Sequence, residues 1–519
     1  MPIADSTNTQ STFDHIVIGA GSAGCAAARR LLDAGRTVAV IEAGGPITDE
    51  RITDIRRIWE LWGLETDWGF SSQPLEHSNG TVVELPRGKT FGGSSALYGL
   101  VHARGVRADF DAWARAGATG WSWDEVLPVY KRLEDFEGGA NDYRGADGPM
   151  PVRLNHDPNR LTPKFIEAAN EYGIDTNPDY NGKDPMGVAI AQINAIGQTR
   201  VTSWDAYLEP VKDDPRLTVF PYTTALRLIF EGDRCSGVVV IQEGEERELT
   251  AMSDVVLAAG AYQSPQLLML SGIGDAHELE EHGIDVRHSL PGVGKNLQDH
   301  ILVPIVYEAT QPLEAQKMNG TECHFFAKSA PELTAPDLQP ILVAKGLPVR
   351  GEEVPEQAFT FLAGVIRPFS TGTVTLASDD PHAAPIIDLN YFSDSRDMAT
   401  MLKAIEYCRG IAAQPALADE RGAELFPGDD VSGEELVDYV RDQVLTYHHP
   451  SGTCKMGVGP DAVVDPRLRV HGIAGLRIAD CSVFPFVPSG NTHAPAVLVG
   501  ERVADFILAD TEVAEGKTA

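Results

Sequence analysis

Three glycines and two histidines carry the chemistry most readily seen in this chain. Gly19, Gly21 and Gly24 stand in G-x-G-x-x-G spacing, with Ser22 and Ala23 between the last two. Glycines so placed permit a tight turn, a close backbone approach to a pyrophosphate, and tight packing of a helix on a strand. Glu42, with Ala43 beside it, follows at about the twenty-residue distance at which a carboxylate binds ribose hydroxyls. This pattern points to a dinucleotide and does not choose between its nicotinamide and flavin forms. His449 in HHPSGTC and His493 in NTHAP supply imidazole, the side chain suited to exchanging protons near neutral pH. Neither is clustered with a third ligand, so no metal site is expected. The six cysteines form no C-x-x-C pair and read as free thiols of a reducing compartment.

These residues need elements to hold them. FDHIVIGAG reads as an apolar strand ending in glycines, SAGCAAARRLLDAG as a helix stopping at Gly35, and TVAVIEAGG as a second strand. Strand, helix and strand of these lengths make a βαβ unit with parallel strands, and a pyrophosphate would sit on the helix N-terminus. Residues 46–85 form a long, lid-like connection carrying Trp59, Trp62 and Trp68. Helical patterning is expected over 109–136, 263–270, 395–414 and 432–446. A β-meander is expected over 217–257 and an antiparallel sheet over 302–344. The stretches before Phe13 and after about Asp510 read as disordered.

A chain of 519 residues exceeds one ordinary domain, so two, interleaved or in series, are expected. Hydrophobic residues at 43% and charged residues at 23% describe a globular protein. A net charge of −33 argues against nucleic acid or an anionic membrane as partner. No apolar run is long enough to span a bilayer, and the first twelve residues lack a secretory apolar core, so a cytoplasmic location is expected.

Further segments sharpen this reading: RGKTFGGSSALYG (87–99), GAYQSPQLLMLSGIG (260–274), PGVGKNLQDH (291–300), HHPSGTCKMG (448–457), and LRIADCSVFP with SGNTHAPAVLVGERVAD (within 476–505). In this order they resemble the glucose–methanol–choline (GMC) oxidoreductases across residues 13–508, choline-oxidase-like and aryl-alcohol-oxidase-like members above all. The resemblance implies an α/β, two-domain fold. A Rossmann-like FAD domain (13–155, 202–304, 465–511) is interleaved with a substrate domain built on an antiparallel sheet flanked by helices (156–201, 305–464). It also implies FAD along Gly19, Gly21, Ser22, Ala23 and Gly24, with Glu42 on the adenosine ribose and Leu226 near the adenine. Arg87, Gly92, Gly93, Ser94, Tyr98, Gly99, Leu100 and Val101 would hold the pyrophosphate, ribityl chain and ring. Trp68 would lie near the flavin, Asp480 would open the last flavin segment, and Ala494 and Pro495 would sit beside the ring.

The implied reaction is oxidation of a primary alcohol to an aldehyde. Hydride goes to flavin N5, the proton goes to His449, and His493 holds the alcohol oxygen. Reoxidation by O2 would give hydrogen peroxide. The register from Gly452-Thr453-Cys454 puts the family's catalytic histidine on His449. In an extended segment His448 would then turn to another face, at the pocket edge, while Asn491 would share a face with His493. Leu97 stands where choline oxidases carry the histidine that attaches FAD, so FAD is expected to be non-covalent. Tyr98 stands where the family usually has asparagine. Glu322, His324 and Phe326 are candidates for a substrate wall. The partners implied are a small alcohol and O2, with monomer and homodimer both open. The alternatives are a dehydrogenase with another acceptor, a lyase on the same fold, or a flavin-binding scaffold. The paired histidines argue against the last, and equally against a light-driven decarboxylase of the same fold.

Overall fold

A computed structural model describes residues 10–514 and 516. Most of the stretch expected to be disordered before Phe13 lies outside the described residues, as do 515 and 517–519. Beyond Asp510 the expectation fails, because the last helix, His493–Ala514, runs on to Ala514.

Short runs of Val, Ile and Leu, buried on both faces, form a five-stranded parallel sheet. Its strands lie in the order Leu217–Phe220, Val38–Ile41, His15–Ile18, Val255–Leu257 and Leu476–Ile478. Chain order reverses beside His15–Ile18, and in open α/β sheets ligands bind at the carboxyl ends of strands at such a reversal. The helix Ser22–Asp33 leaves that point and buries Ala23, Gly24, Ala26, Ala27 and Ala28. Small side chains let it lie close to its neighbours: a Cβ on Gly24 would come 1.9 Å from the Gly19 carbonyl oxygen. Likewise, a Cβ on Gly500 of the last helix would come 2.1 Å from the Ala23 carbonyl oxygen.

The expected meander is smaller than 217–257. Thr223–Glu231, Arg234–Gln242 and Glu245–Ala251 are antiparallel neighbours, whereas Leu217–Phe220 and Val255–Leu257 join the parallel sheet. Alternation within each run could not show which sheet would receive it. The helical stretch 109–136 is two helices, Arg107–Arg115 and Trp123–Leu133, followed by the strand Glu134–Phe136.

The second large sheet is antiparallel. It runs Arg421–Phe426, Ile301–Ala309, Ala358–Val365, Ile341–Val343, Cys323–Phe326 and Gly187–Ile190, with Leu445–Thr446 also on Ile301–Ala309. The strand Ile301–Ala309 runs unbroken across the boundary expected between 304 and 305. Successive side chains of this sheet face opposite ways. Val303, Ile305, Phe361 and Ala363 pack on the helices Leu161–Tyr172 and Ser395–Ala412, with Phe165, Ala168, Met401 and Ile405. Leu302, Ile341 and Leu362 form a separate cluster with Tyr447 and face the interior cavity. The connection 46–85 closes over that cavity with Trp59, Trp62 and Trp68.

Candidate active site

A cavity of about 540 Å³ lies between the carboxyl ends of the parallel strands and the antiparallel sheet. It joins the glycine fingerprint to the two histidines, since Gly19, Gly21, Ser22, Ala23, Glu42, His449 and His493 all line it.

The dinucleotide end begins where the strand His15–Ile18 stops. The first helix has Gly21 as its N-cap, without a capping side chain and without an acidic residue in the first turn. Its N-terminal N–H groups and dipole are thus available to an anion. A Cβ built on Gly21 meets nothing within 4 Å, so any side chain there would fill the space a pyrophosphate needs. The opposing Gly93 approaches so closely that its Cβ would lie 2.8 Å from Gly21 Cα. The Glu42 carboxylate accepts from the N–H groups of Ala20 (3.0 Å) and Gly44 (2.8 Å). Burial nevertheless pushes its carboxyl up to about 7, against the pull of those donors. Ribose hydroxyls beside it would add two more. At the far end Asp480 accepts from Gly260 N–H (2.9 Å) and Ser264 Oγ (2.6 Å), tying the last segment to the helix Gly260–Leu270. A dinucleotide fits this donor set and the open space at Gly21.

The other end is set by three histidines. His449 Nδ1 lies 2.9 Å from His300 Nδ1, and His449 Nε2 lies 3.3 Å from Asn491 Nδ2. The His449 backbone N–H donates to Asp299 Oδ1 (2.7 Å). Asp299 also accepts from Tyr391 Oη (2.9 Å) and Thr446 Oγ1 (2.5 Å), which anchors the turn. Tyr447 stacks on the His449 ring at 4.8 Å. Burial holds the His449 imidazole well below its ordinary pKa, and His300, His448 and Arg87 reinforce this. His493 opens the last helix, with Nδ1 3.0 Å from Ser22 Oγ and Nε2 without a hydrogen-bond partner. Burial, with Arg200 behind it, brings His493 down to about 3. Both rings are therefore neutral at neutral pH.

Of the residues expected to hold the cofactor, Ala43, Trp68, Arg87, Ser94, Tyr98, Gly99, Val101 and His448 line the cavity as well. Gly24, Gly92, Leu100, Leu226, Ala494 and Pro495 do not line it, although Ala225 and Ala496 do. Gly92 and Leu100 adopt left-handed backbone angles, φ +86° and +62°, and bend the chain around the loop. At His448 the backbone differs from expectation. Its φ is +65°, so the segment is not extended there, and its ring reaches the cavity beside Trp62, 4.9 Å between centroids. The alternation that should have turned it away does not hold through a left-handed residue.

Glu322 is not part of the wall. Its carboxylate accepts from Asn159 N–H (2.5 Å) and Thr162 Oγ1 (3.0 Å), at the start of the helix Leu161–Tyr172. The neighbouring Thr321 lines the cavity instead. His324 and Phe326 sit behind the lining: His324 packs on Tyr180 at 4.6 Å, and Phe326 lies in the cluster beneath Leu302 and Tyr447. Sequence reasoning missed His300 and Asp299. Their signal was the Asp-His pair ending NLQDH, immediately before a buried strand. It also missed Asn194, which accepts from Tyr98 Oη at 2.9 Å. The six cysteines are all free. No helix among the described residues is long and apolar enough to cross a membrane.

Comparison with known proteins agrees with this geometry. Residues 13–302 and 368–500 match the N- and C-terminal profiles of the GMC oxidoreductases. The chain is 38% identical over 530 aligned positions to an oxygen-dependent choline dehydrogenase of Brucella ovis, covering 96% of both chains. Among solved structures it is similar to a pyridoxine 4-oxidase from Mesorbium loti, at 32% identity and a TM-score of 0.92, over 95% of this chain and 98% of that one. It is also similar to a variant formate oxidase of Aspergillus oryzae, at 26% identity and a TM-score of 0.89, over 97% and 99%. The glycine cradle, the histidine pair facing it and these matches at both ends of the chain converge: the protein belongs to the GMC oxidoreductase family and is an FAD-dependent flavoenzyme.

Proposed function

We propose that the protein oxidises a primary alcohol to its aldehyde, with O2 as the final acceptor and hydrogen peroxide as the second product. The observation that carries this reading is the single cavity in which the dinucleotide cradle meets His449 and His493. FAD, held without a covalent bond because Leu97 offers no nucleophile, supplies a hydride acceptor that O2 can regenerate.

One placement of the protons satisfies the hydrogen bonds around His449. Gln339 Nε2 donates to Asn491 Oδ1 (3.1 Å), so Asn491 presents its NH2 to His449 Nε2. His449 Nε2 then carries a lone pair, its proton is on Nδ1, and Nδ1–H donates to His300 Nδ1. A neutral imidazole with its lone pair on Nε2 is the form that takes a hydroxyl proton, and burial keeps it neutral; the alcohol hydroxyl would take the place of the 3.3 Å contact from Asn491. When Nε2 is protonated, Nδ1–H still has its acceptor on His300. At His493, Nδ1 pairs with Ser22 Oγ and Nε2 has no partner; with the Ser22 hydroxyl as donor, the proton stands on Nε2 and can hold the alcohol oxygen.

The segments 13–155, 202–304 and 465–511 form the flavin-binding unit in this reading, and 156–201 and 305–464 the substrate unit, with the boundary at 304 moved ahead of Ile301. The test is anaerobic mixing of the yellow enzyme with a panel of aromatic, furanic, aliphatic, polyol and amino alcohols. Bleaching of the flavin is expected with at least one, and peroxide on readmitting O2. Bleaching without peroxide would favour a dehydrogenase, and no bleaching by any alcohol would refute the reading.

A further inference from the structure

Resting on that reading, we propose that the substrate is an uncharged alcohol with a flat aromatic or heteroaromatic body, and that alcohols bearing a quaternary ammonium group are poor substrates. The inference comes from what lines the cavity around the histidines.

A buried cation needs a carboxylate or open aromatic faces. Glu42 and Asp480 are the only carboxylates among the described lining residues, and both belong to the dinucleotide end, held there by backbone N–H groups. Around His449 the wall is Leu302, Ile341 and Leu362 with Tyr447 and Asn491, all uncharged. The one carboxylate close in sequence, Glu322, points away to Asn159 and Thr162, and Thr321 takes the cavity-facing place. The charges that do reach the lining near the aromatic residues are positive, Arg87 and Lys89.

Three of the aromatic faces in the lining, those of Trp68, Tyr98 and Tyr447, are already taken. Trp68 has Phe70 stacked at 5.8 Å, and the Lys89 ammonium lies 4.7 Å from its centroid. The Tyr98 ring has the Arg200 guanidinium at 5.5 Å and His493 at 4.7 Å. Tyr447 has His449 stacked on it. A second cation would meet like charge and no counter-ion. A neutral planar ring, in contrast, has an aliphatic wall on the sheet side and the indoles of Trp59 and Trp62, set edge to face at 6.0 Å, at the cover. Trp62 is 42% exposed and also lines the cavity, so it stands where the cavity meets the surface.

The test compares benzyl alcohol with choline by kcat/KM and by flavin bleaching. Benzyl alcohol should be better by about 30-fold or more, the equivalent of the ~2 kcal/mol or more that a buried charge without its partner costs. Two unreactive probes, benzamide and tetramethylammonium, are titrated against the flavin absorbance spectrum. Benzamide should perturb it at the lower concentration. Thr321→Glu should shift the ratio toward choline by about tenfold or more, because it places a carboxylate in the cavity, whereas Glu322→Gln should leave the ratio unchanged. If choline matches or exceeds benzyl alcohol, or tetramethylammonium binds more tightly than benzamide, the inference is overturned while alcohol oxidation stands. If no alcohol bleaches the flavin, the proposed function falls, and the two probes still decide what the cavity accepts.

Discussion

Replacing His300 by alanine isolates the part of the site that acts at one remove. His300 does not line the cavity, yet its Nδ1 is the partner of His449 Nδ1 at 2.9 Å. Its value is greatest when His449 has become an imidazolium, because a hydrogen bond to a charged group is worth about 1.5–3 kcal/mol. At 1.36 kcal/mol per decade this corresponds to a loss of roughly 10–150-fold in the rate of flavin reduction. KM should change little, since the lost interaction strengthens only as the proton moves. His300→Gln, which keeps an acceptor, should recover part of the loss. The double variant His300→Ala/His449→Ala should be no slower than His449→Ala alone, because the two side chains act through one proton. The assay is anaerobic stopped-flow reduction with the best alcohol, with flavin content checked by absorbance. A His300→Ala enzyme that holds flavin and reduces it within twofold of the parent would refute the tautomer assignment, and with it His449 Nε2 as the base.

Four further outcomes are expected. His449→Ala should slow reduction by roughly 10²–10⁴-fold, whereas His448→Ala should act mainly on KM; stopped-flow concentration series separate the two, and the reverse pattern would exchange the roles of the neighbours. Gly21→Val should yield protein without flavin, read from its absorbance, because the open space at Gly21 is filled. Acid precipitation should release free FAD into the supernatant, and fluorescence staying with the denatured chain would refute non-covalent binding. Thermal stability should fall from pH 7 to pH 5: His300, His324, His448 and His493 are held near 3 by burial. Below their ordinary 6.5 the unfolded chain takes protons that the folded chain refuses. Glu42 and Asp299, raised to about 7 and about 6, act in the opposite sense, as do Asp109, Glu322, Asp480 and Glu501, but burial also lowers His15, His102 and His449, so the histidines remain the larger group. A melting temperature that rises over this interval would contradict the burial of these rings.

How far the sequence could be read depended on whether a signal was local. The βαβ unit, its fingerprint and Glu42 are contiguous, and the cradle they form needs no distant contact to be recognised. His449 and Asn491 were legible through their motifs, but the pairing of His300 with His449 spans 149 positions and leaves no periodicity to detect. Glu322 shows the cost of a single step along a strand-like segment: a shift of one residue exchanges the cavity face for the other, so Thr321 and not the carboxylate faces inward. The extended backbone expected at His448 fails for a different reason, a left-handed conformation at a non-glycine residue that propensity does not foresee. Leu217–Phe220 was legible as a strand but not as a member of the parallel sheet, because sheet partnership is decided by tertiary packing.

The seam between the first and last helices has a consequence for how the protein is made. Ser22 and His493 touch, Gly500 lies against Ala23, and the strand Leu476–Ile478 closes the edge left by Val255–Leu257. A ribosome delivers the fingerprint long before its catalytic counterpart. Until then the growing chain carries an open sheet edge, an invitation to wrong pairing, and a cradle without its opposite wall. Flavin capture and activity should therefore appear together, once the segment carrying His493 has been made, and a nascent chain stopped short of residue 476 would have the means to begin the cofactor site but none to use it.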